Sequence, residues 1–207
     1  DRAALETLFE KPWLDKFLNE LPNKPHILDL GCGSGEPIAS YLHQQSAQIT
    51  GVDGAANLIS AARAKMPDAT WHTADMRGLD LGRRFDGILG WNSTFHLSPD
   101  EQRAMFRVFQ RHAARGTVLM FTTGTKVDEV MGEFAGEPIY YSSLSHEDYC
   151  ALLTEHGFSL REHVSEDSSC GQHTIWLAKT IEKGPPMVAL KGKTNACYLG
   201  QFFEGIK

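Results

Sequence analysis

Apolar residues recur along this chain with two alternating periods. Leu5, Leu8 and Phe9 share one helical face, and Trp13, Leu14, Phe17, Leu18 and Leu21 share another, with the division at Pro12. Proline suits the first turn of a helix, so Pro12 is read as opening a second helix, and residues 1–22 as N-terminal helices. His26–Leu30 is a short apolar run that ends in glycines and predicts a strand, followed by a helix over Glu36–Gln45. Gln48–Asp53 predicts the second strand, and Ala55–Lys65 the next helix, stopped by Pro67. Strands at Thr70–Ala74 and Phe85–Trp91, a helix over Pro99–Ala113 and a strand at Thr117–Thr123 continue the alternation.

After Gly124 the pattern loosens into a loop over 124–145, with glycines at 132 and 136 and the pair Tyr140-Tyr141. A helix is predicted over His146–His156. Phe158–Val164 and His173–Ala178 then lie too close together for a crossover helix and read as antiparallel partners. The expected fold class is therefore α/β: a doubly wound, seven-stranded, mostly parallel sheet whose last strand is antiparallel. The stretch 181–207 has little period. Gly184-Pro185-Pro186 breaks it, and Lys183, Lys191, Lys193 and Lys207 stand against Glu182 and Glu204. It reads as a tail or edge element, or as a dimer contact or lid anchored by Phe202 and Phe203.

Composition narrows the function. With 207 residues, 42% of them apolar and 22% charged, the chain fills one core, and a domain over 1–180 is expected. Its 26 acidic and 20 basic residues give a formal charge of −6, which disfavours nonspecific nucleic-acid binding. No apolar run approaches a membrane span, and no signal peptide opens the sequence. Cys32, Cys150, Cys170 and Cys197 are widely spaced and read as free thiols of a cytoplasmic protein. The nine histidines form no metal-binding motif, so no metal is expected.

The chemistry starts at Asp29-Leu-Gly31-Cys-Gly33-Ser-Gly35, between a predicted strand and a predicted helix. Glycines there allow a tight turn and close approach of a ligand to backbone. Asp53 ends the next strand, where a carboxylate can accept from both ribose hydroxyls. Glu36 follows Gly35, where a dinucleotide fingerprint has a small residue, and its charge would repel a pyrophosphate. That counts against an NAD-dependent oxidoreductase. Asp29 places further negative charge where an amino group is welcome. The ligand indicated is a nucleoside with an amine and no phosphate.

On these residues the chain resembles the class I methyltransferases dependent on S-adenosylmethionine (SAM), with a Rossmann-like sheet, from about Phe9 to Lys179. Asp75-Met76 and the segment Phe85–Leu97 complete the likeness. It is most similar to a bacterial subgroup of small stand-alone enzymes, with stretches like Gly136-Glu-Pro-Ile-Tyr140, Glu166-Asp167 and Cys170-Gly171 and a tryptophan in the final strand. The resemblance implies roles. Gly31, Cys32, Gly33 and Gly35 line the methionine moiety and Asp29 helps to hold its amino group. Asp53, with Gly54, takes the ribose. Asp75 accepts from the adenine amine, Met76 offers its amide and is followed by Arg77, and Leu58 and Met76 sandwich the ring. Trp91, Asn92 and Ser93 lie under the reactive end. Similar proteins usually carry a further N-terminal helix whose tyrosine closes over the cofactor; here the sequence opens at Asp1-Arg2.

Methyl transfer from a sulfonium is a displacement with a good leaving group, so alignment is the protein's main contribution. A base is needed only where the acceptor must lose a proton. His96, His173 and Tyr140 are the candidates, each with a plain structural alternative: a bonded loop histidine, a structural histidine and a pocket wall. Trp13, His96, Tyr140, Asp167 and His173 are the candidate substrate contacts, although Trp13 equally suits the core and Asp167 a turn. Arg111, His112 and Arg115 read as a solvated helix end. The expected activity is SAM-dependent methylation of a small molecule by a monomer or homodimer. The alternative is a non-catalytic SAM- or nucleoside-binding regulatory module of the same fold.

Overall fold

The computed structural model describes residues 8–125, 127–134 and 136–181. The readings placed on Leu5, on Cys197 and on the stretch 182–207 with Phe202 and Phe203 lie outside them. The elements are α1 (Lys11–Asn19), β1 (His26–Leu30), α2 (Ile38–Gln44), β2 (Gln48–Asp53), α3 (Ala56–Lys65), β3 (Thr70–Thr73) and β4 (Phe85–Gly90). There follow α4 (Pro99–His112), β5 (Ala113–Thr123), β6 (Asp128–Phe134), β7 (Glu137–Ser143), α5 (His146–Glu155), β8 (Phe158–Asp167) and β9 (His173–Thr180).

The main sheet has seven strands in the order β3-β2-β1-β4-β5-β9-β8. Pairing from β3 through β5 is parallel, and β9 runs antiparallel to both β5 and β8. The expected architecture is the one observed. The central strands are buried on both faces and split their side chains between two cores. Ile27, Leu89, Val118 and Met120 face Trp13, Leu14 and Phe17 of α1, Leu42 of α2 and Ile59 of α3. Leu28, Ile88, Leu119 and Phe121 face Phe106 and Phe109 of α4 and Tyr149 of α5. Phe17 is fully buried, and truncating such a ring to alanine removes about 3–5 kcal/mol. Among the described residues no helix is long and apolar enough to cross a membrane.

Helix ends follow local chemistry. Pro12 lies in the first turn of α1, as its missing N–H allows. Ser98 and Glu101 form a reciprocal capping box at the start of α4. Two expectations are corrected. The segment 124–145 is not an open loop: β6 and β7 pair antiparallel from Asp128↔Ser143 to Phe134↔Glu137, and Gly136 takes a positive φ at the turn. The end of α4 is not wholly solvated. His112 is completely buried; its Nδ1 donates to the Val108 carbonyl and its Nε2 accepts from the Leu81 N–H, which ties α4 to the chain before β4. Arg111 donates to the Gly78 and Leu79 carbonyls.

Candidate active site

The carboxyl ends of β1, β2 and β4 meet around the glycine turn. Gly31 has φ +76°, and a side chain there would place Cβ 2.2 Å from Ser93 Cβ. Only glycine lets the two loops touch, and Ser93 secures the contact by donating from Oγ to the Leu30 carbonyl at 2.7 Å. Gly33 has φ +57° with open space where a Cβ would stand, so its backbone is bare toward the crevice. Its N–H donates to Asp53 Oδ2 and the Ala55 N–H to Asp53 Oδ1, both at 2.8 Å. The carboxylate at the end of β2 is thereby clamped between the turn and the start of α3.

Asp29 is 4% exposed. Burial, and then the neighbouring charge of Asp53, push its carboxyl up to about 7. Cys32 is partly buried, and its thiol is driven well above the usual range by burial and by Asp29 and Asp53, so it packs rather than reacts. Gly54 is exposed, and Leu58 on α3 is 38% exposed. Met76 reaches toward Gly31 from beyond β3.

Asp75 is already engaged. Arg77 grips both its oxygens through Nε and Nη2 at 2.6–3.0 Å and holds Glu101 with Nη1. The Arg77 guanidinium keeps the Asp75 carboxyl below the usual range. Glu101 was missed by sequence reading, although Ser98-x-x-Glu101 is a readable capping signal. Asn92, with φ +49°, donates its N–H to Thr122 Oγ1 at 2.8 Å, a further contact that the sequence did not indicate.

Toward β5 and β9 the candidate residues engage one another. His96 Nδ1 lies 2.9 Å from the Tyr140 carbonyl, which can only accept, so this nitrogen carries the proton. The His96 ring packs against Phe95 and Tyr141. The Tyr140 hydroxyl donates to Glu129 Oε2 across the β6–β7 hairpin at 2.5 Å, and that carboxylate raises the phenol's pKa. His173 Nδ1 donates to the Cys170 carbonyl at 2.6 Å, and the ring lies between Phe9 and Trp91. Trp13 Nε1 donates to Asp167 Oδ2 at 2.7 Å, while Asp167 Oδ1 accepts from the Ser169 N–H and hydroxyl. Trp13 thus belongs to the core, and its bond with Asp167 ties α1 to the turn between β8 and β9.

A separate cavity of about 310 Å³ opens at the opposite, amino edge of the strands, lined by His26, His43 and Arg83 among others. None of the predicted site residues borders it.

Comparison with known proteins agrees with this geometry. Residues 27–116 match the family model described as "Methyltransferase domain". A dTDP-3-amino-3,4,6-trideoxy-alpha-D-glucopyranose N,N-dimethyltransferase from Streptomyces venezuelae is 27% identical over 108 residues, 51% of this chain and 45% of the relative. A trans-aconitate 2-methyltransferase from Escherichia coli O1:K1 / APEC is 38% identical over 82 residues, 39% of this chain and 32% of the relative. The chain spans less than half the length of these curated relatives. Among solved structures, a SAM-bound amino pentose methyltransferase from Micromonospora echinaspora superposes with a TM-score of 0.68 at 18% identity, covering 87% of this chain and 94% of that one. A sugar N-methyltransferase from Streptoalloteichus sp ATCC 53650 does so with 0.68 at 20% identity, covering 87% and 91%. Residues 27–116 thus carry the signature of a methyltransferase domain, and the fold is the one seen in solved SAM-dependent methyltransferases.

Proposed function

We propose that this chain binds SAM at the glycine turn and transfers its methyl group to a small-molecule acceptor. The observation that carries the proposal is the row of acids at successive strand ends, Asp29, Asp53 and Asp75, around a bare backbone turn. The residues present fit the group: Asp29 offers a carboxylate to an ammonium, Asp53 is fixed for ribose hydroxyls, and Leu58 and Met76 offer apolar surface to a flat ring. Bound SAM supplies an activated methyl group on a sulfonium. A pyrophosphate fits badly, because Glu36 stands just past the turn, accepting from Ser40 Oγ at 2.8 Å. Relatives that methylate amino sugars support an amine acceptor of that general size.

The chain's own contribution is positioning, together with one proton site. Because Nδ1 of His96 donates to a carbonyl, the neutral ring keeps its lone pair on Nε2, poised to take a proton from an acceptor amine. Strand β7 therefore sets the tautomer of the base. Calorimetry with SAM and S-adenosylhomocysteine tests the cofactor half of the reading, which fails if neither binds. Release of S-adenosylhomocysteine with a panel of amino-sugar acceptors tests the transfer and separates an enzyme from a binding module. His96→Gln is expected to lower turnover by roughly 10² while leaving S-adenosylhomocysteine affinity unchanged.

A further inference from the structure

The chain's four tryptophans are not equivalent. Trp13 donates its indole N–H to Asp167, Trp71 to the Met66 carbonyl at 3.0 Å, and Trp176 to Thr123 Oγ1 at 3.0 Å. Trp91 is 4% exposed, and its Nε1 is buried with no hydrogen-bond partner. A buried donor left unmade is unfavourable by about 1–3 kcal/mol, so a native structure that keeps one calls for an explanation. Position supplies it. Trp91 directly follows β4 at the carboxyl edge of the sheet, two residues before Ser93, which touches Gly31.

We infer that the Trp91 indole N–H is the donor for the carboxylate of the cofactor's methionine portion. This rests on the SAM reading above. That portion carries an ammonium and a carboxylate. Asp29 suits the first and, together with Asp53, repels the second, so the carboxylate requires donors. Three other side-chain donors at this edge are committed: Ser93 Oγ to the Leu30 carbonyl, Arg77 to Asp75 and Glu101, and His96 Nδ1 to the Tyr140 carbonyl. Among the described residues, Trp91 offers a buried side-chain donor with no such commitment. It is also dehydrated already, so a carboxylate reaching it gains a charge-assisted hydrogen bond without stripping water from the indole. A neutral donor suits a crevice whose opposite wall holds an ammonium, because it orients the zwitterion without competing for Asp29.

The test compares S-adenosylhomocysteine with 5′-methylthioadenosine, which lacks the amino-acid portion. Trp91→Phe keeps a ring and removes the N–H. The variant is expected to lose about tenfold in affinity for S-adenosylhomocysteine and nothing for 5′-methylthioadenosine, with an unchanged or slightly higher melting temperature. Equal loss for both ligands, or no loss for either, overturns the assignment. If the wild-type chain binds neither nucleoside, the cofactor reading fails first and this one with it. A second measurement needs no variant. In ¹⁵N-labelled wild-type protein, one of four indole N–H resonances is expected to shift downfield with S-adenosylhomocysteine and to stay in place with 5′-methylthioadenosine. Identical responses to the two ligands also overturn the inference.

Discussion

The two sides of the crevice satisfy their polar groups in opposite ways. Toward β1, β2 and β3, carboxylates accept from backbone amides close in sequence: Asp53 from Ala55, Asp75 from Arg77, each two residues on. Toward β5, β8 and β9, side chains are held by partners far away in sequence: His96 by Tyr140 across 44 residues and Trp13 by Asp167 across 154. The first side takes much of its bonding from neighbours in sequence, with Gly33 and Glu101 adding links from the next elements. The second exists only once α1, the hairpin and the last two strands have docked. The acids of the proposed cofactor site therefore lie on the first side, where the burial of Asp29 burdens the fold, while the other side spends most of its polar groups on cohesion.

Asp29 gives the largest expected effect. Its folded pKa, about 7, lies above the 3.8 of an unperturbed aspartate, so folding takes up a proton. Stability then falls as pH rises from about 4 to 7 and levels off above that, by up to about 4 kcal/mol. Asp29→Asn, neutral throughout, is expected to match the wild type at pH 4 and to exceed its stability at pH 8, while binding SAM more weakly. Melting curves at the two pH values check this. Equal stability at pH 8 would mean that Asp29 is no burden, and the contrast between the two sides would weaken. Cofactor binding should release close to one proton near pH 6, as the incoming ammonium favours the charged carboxylate, measurable by calorimetry in two buffers of different ionisation enthalpy.

Asp53→Ala comes next. It removes the acceptor for the Gly33 and Ala55 amides and the proposed ribose contact together. Affinity for S-adenosylhomocysteine is expected to fall by about 1–3 kcal/mol. An unchanged affinity removes Asp53 from the ribose. On the opposite side, Trp13→Phe deletes the bond to Asp167 and is expected to lower stability by about 1 kcal/mol without changing S-adenosylhomocysteine affinity. A loss of affinity greater than threefold would show that the two sides are energetically coupled and not merely adjacent.

The same contrast explains what could be read from the residues alone. The alternation of strands and helices, the antiparallel last pair and the acids at strand ends follow from short-range signals: apolar periods, glycines after a strand and an aspartate closing the next. The hairpin in 124–145 was hidden because its strands carry Glu129, Gly132, Glu133, Pro138 and exposed Met131 rather than a clean apolar alternation. The partnership of Trp13 with Asp167 and the burial of His112 against Leu81 depend on contacts between distant segments, which no local pattern encodes. The engagement of Asp75 by Arg77 was within reach, two residues apart, but its continuation to Glu101 required the place of α4 in the fold.

The smallest expected effect separates side chain from backbone at one residue. Tyr140 touches the proposed site twice. Its hydroxyl donates to Glu129 within the hairpin, and its carbonyl accepts from His96 Nδ1. If the tautomer of His96 is what matters, the carbonyl is the functional group and the phenol is only a brace between strands. Tyr140→Phe removes the phenol and leaves the carbonyl in place, so turnover with an amine acceptor is expected to change by less than about threefold, well below the 10²–10⁴ that loss of a proton-transferring group produces. The pH–rate profile should keep its shape, since the proposed base, His96, is left in place. A hundredfold fall, or loss of the alkaline limb of the profile, would move the proton-handling role from His96 to Tyr140. The Tyr140 hydroxyl would then serve chemistry on the distantly built side, as the His96 ring is proposed to do, and would be more than a brace between strands.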